Sequence, residues 1–162
     1  MTALHDVFLL LGSNLENPKK QLKNAASLIE RYIGTIVKKS SIYRTAAWGN
    51  QEQPDFLNRI LKVATALDAE DCLHELLEIE NKMGRTRTIR NAPRTIDIDI
   101  IFFDSLILDK PQLTLPHPFI AERRFVLVPM NEIAPDFIHP LLLKSIAELL
   151  QICTDKLDVS KM

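Results

Sequence analysis

Hydrophobic positions along this chain alternate between short continuous runs and stretches of helical period. Asp6-Val-Phe-Leu-Leu-Leu11 is an apolar run closed by Gly12-Ser13-Asn14, which predicts a buried strand followed by a turn. Asn17 then offers an N-cap, with Pro18 at the first helical position. Leu22, Ala25, Ala26, Ile29, Tyr32 and Ile33 recur at helical spacing, and Lys19, Lys20, Lys23, Glu30 and Arg31 fall largely on the other side, so a helix is predicted to end near Gly34.

Thr35 to Arg44 is rich in β-branched residues and predicts a second strand, and Phe56 to Leu67 a third. The loop between them, Thr45 to Pro54, is longer than a hairpin needs and is a candidate lid. Asp68 can cap a second helix whose inner face carries Cys72, Leu73, Leu76, Ile79, Glu80 and Met83, with Gly84 placed to stop it. An arginine-dense loop, Arg85 to Arg94, precedes a last strand from Ile96 to Phe103. The order β-α-β-β-α-β predicts an α+β, ferredoxin-like fold: an antiparallel sheet with both helices on one face. The proline-rich remainder is expected to add loops and short helices, all within a single domain spanning residues 1–162.

Composition narrows the function classes. Twenty basic and 21 acidic residues give a formal net charge of -1, so no overall field gathers nucleic acid or anionic membrane, and any basic site must be local. No apolar run reaches the roughly 20 residues that cross a bilayer, and the first residues show no leader pattern, so a cytoplasmic monomer acting on small molecules is expected. Cys72 and Cys153 lie far apart among apolar neighbours and are expected to be free thiols filling the core.

The chemistry concentrates around the last strand. In Ile96-Asp-Ile-Asp-Ile-Ile-Phe-Phe103 side chains alternate faces, so Asp97 and Asp99 project the same way, roughly 6.5 to 7 Å apart. Paired carboxylates in an apolar strand repel and resist desolvation, and a divalent cation compensates both effects. Magnesium takes one or two carboxylates plus substrate phosphates, and two such ions clamp a triphosphate. Acids guarding an exposed strand would give the same spacing. Arg85, Arg87, Arg90 and Arg94 just before the strand, with Arg123 and Arg124 beyond it, favour phosphate instead, because guanidinium forks match phosphate oxygens. Metal carboxylates and phosphate arginines are what phosphoryl transfer requires. No Walker-type glycine loop occurs, so side chains must hold a nucleotide. His117, between Pro116 and Pro118, is stiffly placed to face a phosphate.

Several strings then become specific. Leu11-Gly-Ser-Asn14, Tyr43-Arg-Thr45, Gln53-Pro-Asp-Phe-Leu-Asn58, Gly84-Arg-Thr-Arg87, Pro93-Arg-Thr-Ile-Asp-Ile-Asp-Ile100, Leu115-Pro-His117 and Arg123-Arg-Phe-Val-Leu127 resemble, in order and spacing, the 6-hydroxymethyl-7,8-dihydropterin pyrophosphokinases. The resemblance runs from about residue 7 to about residue 140. It implies transfer of the β,γ-pyrophosphoryl unit of ATP to a pterin alcohol, a step of folate synthesis that releases AMP.

By position it implies that Asp97 and Asp99 hold two magnesium ions, and that Arg85 and Arg94 stabilise charge on the phosphates. Arg87, Thr114, His117 and Arg123 would complete the nucleotide site, with Leu73, Glu80 and Ile98 bordering the adenosine. The pterin would lie between Phe56 and Phe125, read by Asn58 and by backbone groups of Thr45 and Trp48. Pro118 stands where relatives often carry an aromatic residue, the arginine loop is one residue short and lacks their tryptophan near Asn91, and Leu77 replaces a polar nucleotide contact. A metal-dependent nucleotidyl transferase would also set carboxylates on an antiparallel strand. An RNA-recognition module shares the topology but displays aromatic residues on its sheet.

Overall fold

The computed structural model describes residues 3–14, 17–46, 54–84 and 96–162. The elements are β1 (His5–Ser13), α1 (Pro18–Tyr32), β2 (Gly34–Lys39), β3 (Tyr43–Thr45), β4 (Phe56–Thr65), α2 (Ala69–Lys82) and β5 (Asp97–Phe103), followed by β6 (Leu108–Lys110), β7 (Leu113–Leu115), a 3-10 turn (Ile120–Glu122), α3 (Arg124–Ile133), α4 (Ile146–Ile152) and β8 (Val159–Lys161). The main sheet runs β5-β1-β4-β3-β8 and β2 also pairs with β4; every pairing is antiparallel. This is the expected ferredoxin-like order, mixed α+β with its helices laid on the sheet.

Two apolar layers sandwich the sheet. On one face Val7, Leu9, Leu11, Leu57, Leu61, Val63, Ile98 and Ile100 pack with Leu22, Ala25 and Ile29 of α1 and Cys72, Leu76 and Ile79 of α2. On the other, Phe8, Leu10, Ile60, Ile101 and Phe102 meet Val126, Leu127 and Met130 of α3 and Ile146 and Leu149 of α4. Burying these side chains supplies about 25 cal/mol per Å² of apolar surface. Ile101 and Phe102 are consecutive yet face the same layer because the β1–β5 register slips between Phe8 and Leu9, a bulge that gives β5 one extra residue.

Several expectations need correction. Gly12 and Ser13 are strand rather than turn, since they continue the ladder opposite Asn58 and Leu57. Asn17 precedes α1 but caps nothing with its side chain: it adopts a left-handed backbone (φ 53, ψ 61), which Asn tolerates, and its carbonyl accepts from Lys20 and Gln21. Asp68 does cap α2, accepting from the Asp71 amide at 2.8 Å, and Gly84 takes φ +81 just past that helix. The second strand is broken into β2 and β3, with the β2 register shifting between Ile36 and Lys38, and the Ser40 hydroxyl fills the interruption by accepting from the Ile60 amide. Beyond β5 the chain forms the β6–β7 hairpin and a strand, β8, that pairs with β3, in addition to short helices. Both cysteines are free, Cys72 buried and Cys153 partly so.

Candidate active site

The two carboxylates stand where alternation puts them. Ile98 and Ile100 point into the α1–α2 layer, whereas Asp97, partly exposed, and Asp99, exposed, rise on the opposite face at the end that α3 and α4 leave uncovered. Register extends this into a row across the sheet: Gly12 lies opposite Asp97 on one side and Asn58 on the other, and Tyr43 lies opposite Asn58. Directly paired residues share a face. Strands about 4.8 Å apart therefore set Asp97 and Asn58 about 10 Å from each other with a glycine between them. A Cβ on Gly12 would come within 2.8 Å of Asn58 Oδ1, so the absent side chain is what keeps this floor open.

Asn58 is 5 % exposed and donates through Nδ2 to Thr45 Oγ1 at 2.8 Å, which fixes the amide and lays Oδ1 over Gly12. Thr45 is opposite Phe56, so Thr45, Phe56 and Asn58 form one corner of the floor. Asn14 closes the end of β1 by donating to the Pro54 carbonyl at 3.3 Å. Polar groups this well buried in a sheet are held for recognition or for packing, and these converge on one face.

The outer edge of β5 carries the remaining candidates. Glu80, 2 % exposed on α2, accepts the Ile98 amide at 2.8 Å, and the His117 amide donates to the Ile101 carbonyl at 3.0 Å. Leu113 and Leu115 enter the α1–α2 layer, so the exposed Thr114 between them points away from it. His117 Nδ1 is buried without a hydrogen-bond partner among the described residues. Burial first, and then the positive charge of Arg123, push this imidazole down to about 4, so it is neutral at physiological pH. The Arg123 guanidinium sits 5.0 Å from the Phe119 ring centre and 5.7 Å from that of Phe125, cation–π distances that hold it at the start of α3.

Asp97, Asp99, Thr45, Phe56 and Asn58 thus share one sheet face, and Glu80, Ile98, Thr114 and His117 gather along the adjoining edge. Leu73 lies partly buried on α2, and Phe125 and Arg123 at the start of α3. Trp48, Arg85, Arg87 and Arg94 lie outside the described residues. Sequence reasoning passed over Gly12 as a site residue and assigned its string to a turn; the signal was the isolated glycine at the end of an apolar strand.

A family model described as 7,8-dihydro-6-hydroxymethylpterin-pyrophosphokinase matches residues 8–135. The chain belongs to that family. Its members' reaction is a step of folate synthesis, which is where the assignment places this chain. The 2-amino-4-hydroxy-6-hydroxymethyldihydropteridine pyrophosphokinase of Haemophilus influenzae is 40% identical over 134 residues, covering 82% of this chain and 84% of that protein. The folic acid synthesis protein FOL1 of Dictyostelium discoideum is 43% identical over 136 residues, 84% of this chain but 20% of the relative, so the pyrophosphokinase chain spans about a fifth of that longer protein. Among solved structures, Plasmodium falciparum HPPK-DHPS with pterin and p-hydrobenzoate superposes with a TM-score of 0.75 at 19% identity, over 93% of this chain and 44% of that one, which supports the fold.

Proposed function

We propose that the chain transfers the β,γ-pyrophosphoryl group of ATP to the hydroxymethyl oxygen of 6-hydroxymethyl-7,8-dihydropterin. The alcohol oxygen bonds to the β-phosphorus and loses its proton to solvent, the bond from that phosphorus to the oxygen bridging it to the α-phosphorus breaks, and AMP leaves with the electron pair. The observation that carries this reading is the cross-strand row Asp97–Gly12–Asn58, which sets an acidic station and an amide station about two strand spacings apart on one open floor.

Each residue has a role that its chemistry supports. Asn58 offers Oδ1 to a donor on the pterin edge, and Phe56 and Phe125 would stack on the two faces of the ring, with backbone groups of Thr45 and Trp48 beside it. Neutral His117 can donate through one ring nitrogen to a phosphate oxygen while Arg123 supplies a permanent charge. Arg85 and Arg94 would stabilise charge gathering on the transferred group, and Arg87 would add to the nucleotide contacts. Leu73, Glu80, Ile98 and Thr114 border the β5 edge, where an adenosine would lie.

Asp97 and Asp99 fit magnesium: both are hard oxygen donors on one face, and a pair of carboxylates leaves the remaining ligand positions to substrate phosphates and water. When bound, two such ions would neutralise the triphosphate and orient it for in-line displacement. The two carboxylates would hold the ions, and the strand keeps the carboxylates at fixed spacing.

No helix among the described residues is long and apolar enough to cross a membrane. A cytoplasmic monomer with small-molecule substrates belongs to the same proposal. Its test is to incubate the protein with ATP, magnesium and the dihydropterin alcohol and follow products by mass. AMP together with the pterin diphosphate is the expected outcome; release of pyrophosphate or ADP instead would overturn it.

A further inference from the structure

Glu132 lies one residue from the C-terminal end of α3, the helix whose second residue is Phe125. Its carboxylate gathers three donors from across the sheet. Oε1 accepts from the Ser41 amide at 3.0 Å and from the Tyr43 hydroxyl at 2.6 Å, and Oε2 accepts from the Ser41 hydroxyl at 2.8 Å. Charge-assisted bonds of this kind are short and strong. The other end of α3 is tied as well, because the Arg124 amide donates to Asp155 at 2.9 Å in the segment that leads into β8, and β8 pairs with β3.

Tyr43 connects this joint to the site floor. It is 6 % exposed, sits directly opposite Asn58, and is two residues before Thr45, which is opposite Phe56 and bonded to Asn58. Burial, followed by the bond to Glu132 and its charge, pushes the phenol up to about 12, so the hydroxyl remains a donor throughout the working pH range.

We infer that Glu132 is a positioning residue: by binding Ser41 and Tyr43 it sets the spacing between Phe125 on α3 and the Phe56–Asn58 corner on the sheet. This rests on the proposed pterin seat between those two aromatic rings. A ring stacked on both faces needs its walls about 7 Å apart, twice the optimal carbon–carbon separation, and a shift of about 1 Å in one wall forfeits much of the contact. The nucleotide side tolerates the same shift better. Asp97 and Asp99 are on β5, separated from β3 by β1 and β4, and the long Arg123 side chain can follow a small movement of its helix.

The experiment measures KM for each substrate and kcat in Glu132→Ala, Glu132→Gln, Tyr43→Phe and Phe56→Ala. Glu132→Ala is expected to raise the dihydropterin KM about tenfold while the ATP KM moves less than about threefold, with Glu132→Gln in between because its amide oxygen still accepts. Tyr43→Phe, which removes one bond of the three, is expected to raise the dihydropterin KM about threefold, and it carries the test if Glu132→Ala does not fold. Equal changes in both KM values, or an unchanged dihydropterin KM in Tyr43→Phe and Glu132→Gln, would overturn the inference. Phe56→Ala separates the two levels. If it leaves dihydropterin binding intact, the seat itself is wrong and the inference falls with it; if it weakens binding while the Glu132 variants do not, the seat stands and the positioning role is lost.

Discussion

The Glu80 carboxylate accepts the Ile98 amide at 2.8 Å, although one belongs to α2 and the other to the strand that carries the site's acids. Among the described residues β5 ends the main sheet, so its outward amides meet no strand there, and a carboxylate from the helix above takes one of them. This tether holds the Ile98 side chain down in the α1–α2 layer and thereby keeps Asp97 and Asp99 turned to the open face.

Removing that acceptor strands a buried donor. Glu80→Ala should lower the unfolding free energy by about 1–3 kcal/mol, and Glu80→Gln, which keeps an oxygen there, by less. Urea denaturation measures both, and equal midpoints for wild type and Glu80→Ala would show that the tether contributes nothing.

Gly12 predicts a binding defect with only a small loss of stability. In Gly12→Ala the new methyl meets the end of a side chain rather than backbone, so Asn58 swings aside and its 2.8 Å bond to Thr45 is strained or broken. Loss of one such bond costs the fold about 1 kcal/mol, a drop of about 2–4 °C in Tm, and displacement of the amide that faces the pterin should raise the dihydropterin KM about fivefold. A crystal structure of the variant with Asn58 unmoved would remove the explanation.

Asp97→Ala and Asp99→Ala should each reduce kcat by at least about 100-fold, the scale of losing an electrostatic anchor in the transition state. Each variant should still fold without metal, because both side chains stand outside the two apolar layers. Thermal melts in EDTA check the second half; a collapse of either variant would make the pair structural.

Acid should weaken the fold through His117. Its pKa falls from 6.5 to about 4 in the folded chain, so between those values the unfolded chain binds more protons. Stability is fully present above pH 6.5 and declines as pH drops toward 4. Buried His139, whose Nδ1 accepts from the Leu141 and Leu142 amides and whose pKa is also lowered by burial, acts in the same direction. Urea midpoints at pH 7 and pH 5 should therefore differ, and His117→Asn should narrow the gap without closing it.

The chain has one tryptophan, Trp48, in the segment expected to act as a lid, so its fluorescence should change when ATP analogue and dihydropterin are both present. Constant emission at saturation would remove Trp48 from the neighbourhood of the ligands.

Local pattern alone specified the two helices with their inner faces, the strand that bears Asp97 and Asp99 on one side, and the Asp68 and Gly84 signals at the ends of α2, because side-chain period and capping chemistry act within a few residues. The motif strings carried the family assignment for the same reason: they are contiguous. What the sequence could not supply is register. That Gly12 lies between Asp97 and Asn58, that Glu80 reaches Ile98, and that Glu132 closes on Tyr43 are contacts between residues 18 to 89 positions apart, or between strands set side by side by the whole sheet. A chain reads out such pairings only when two apolar layers close on the sheet at once and a one-residue slip would turn every buried side chain outward.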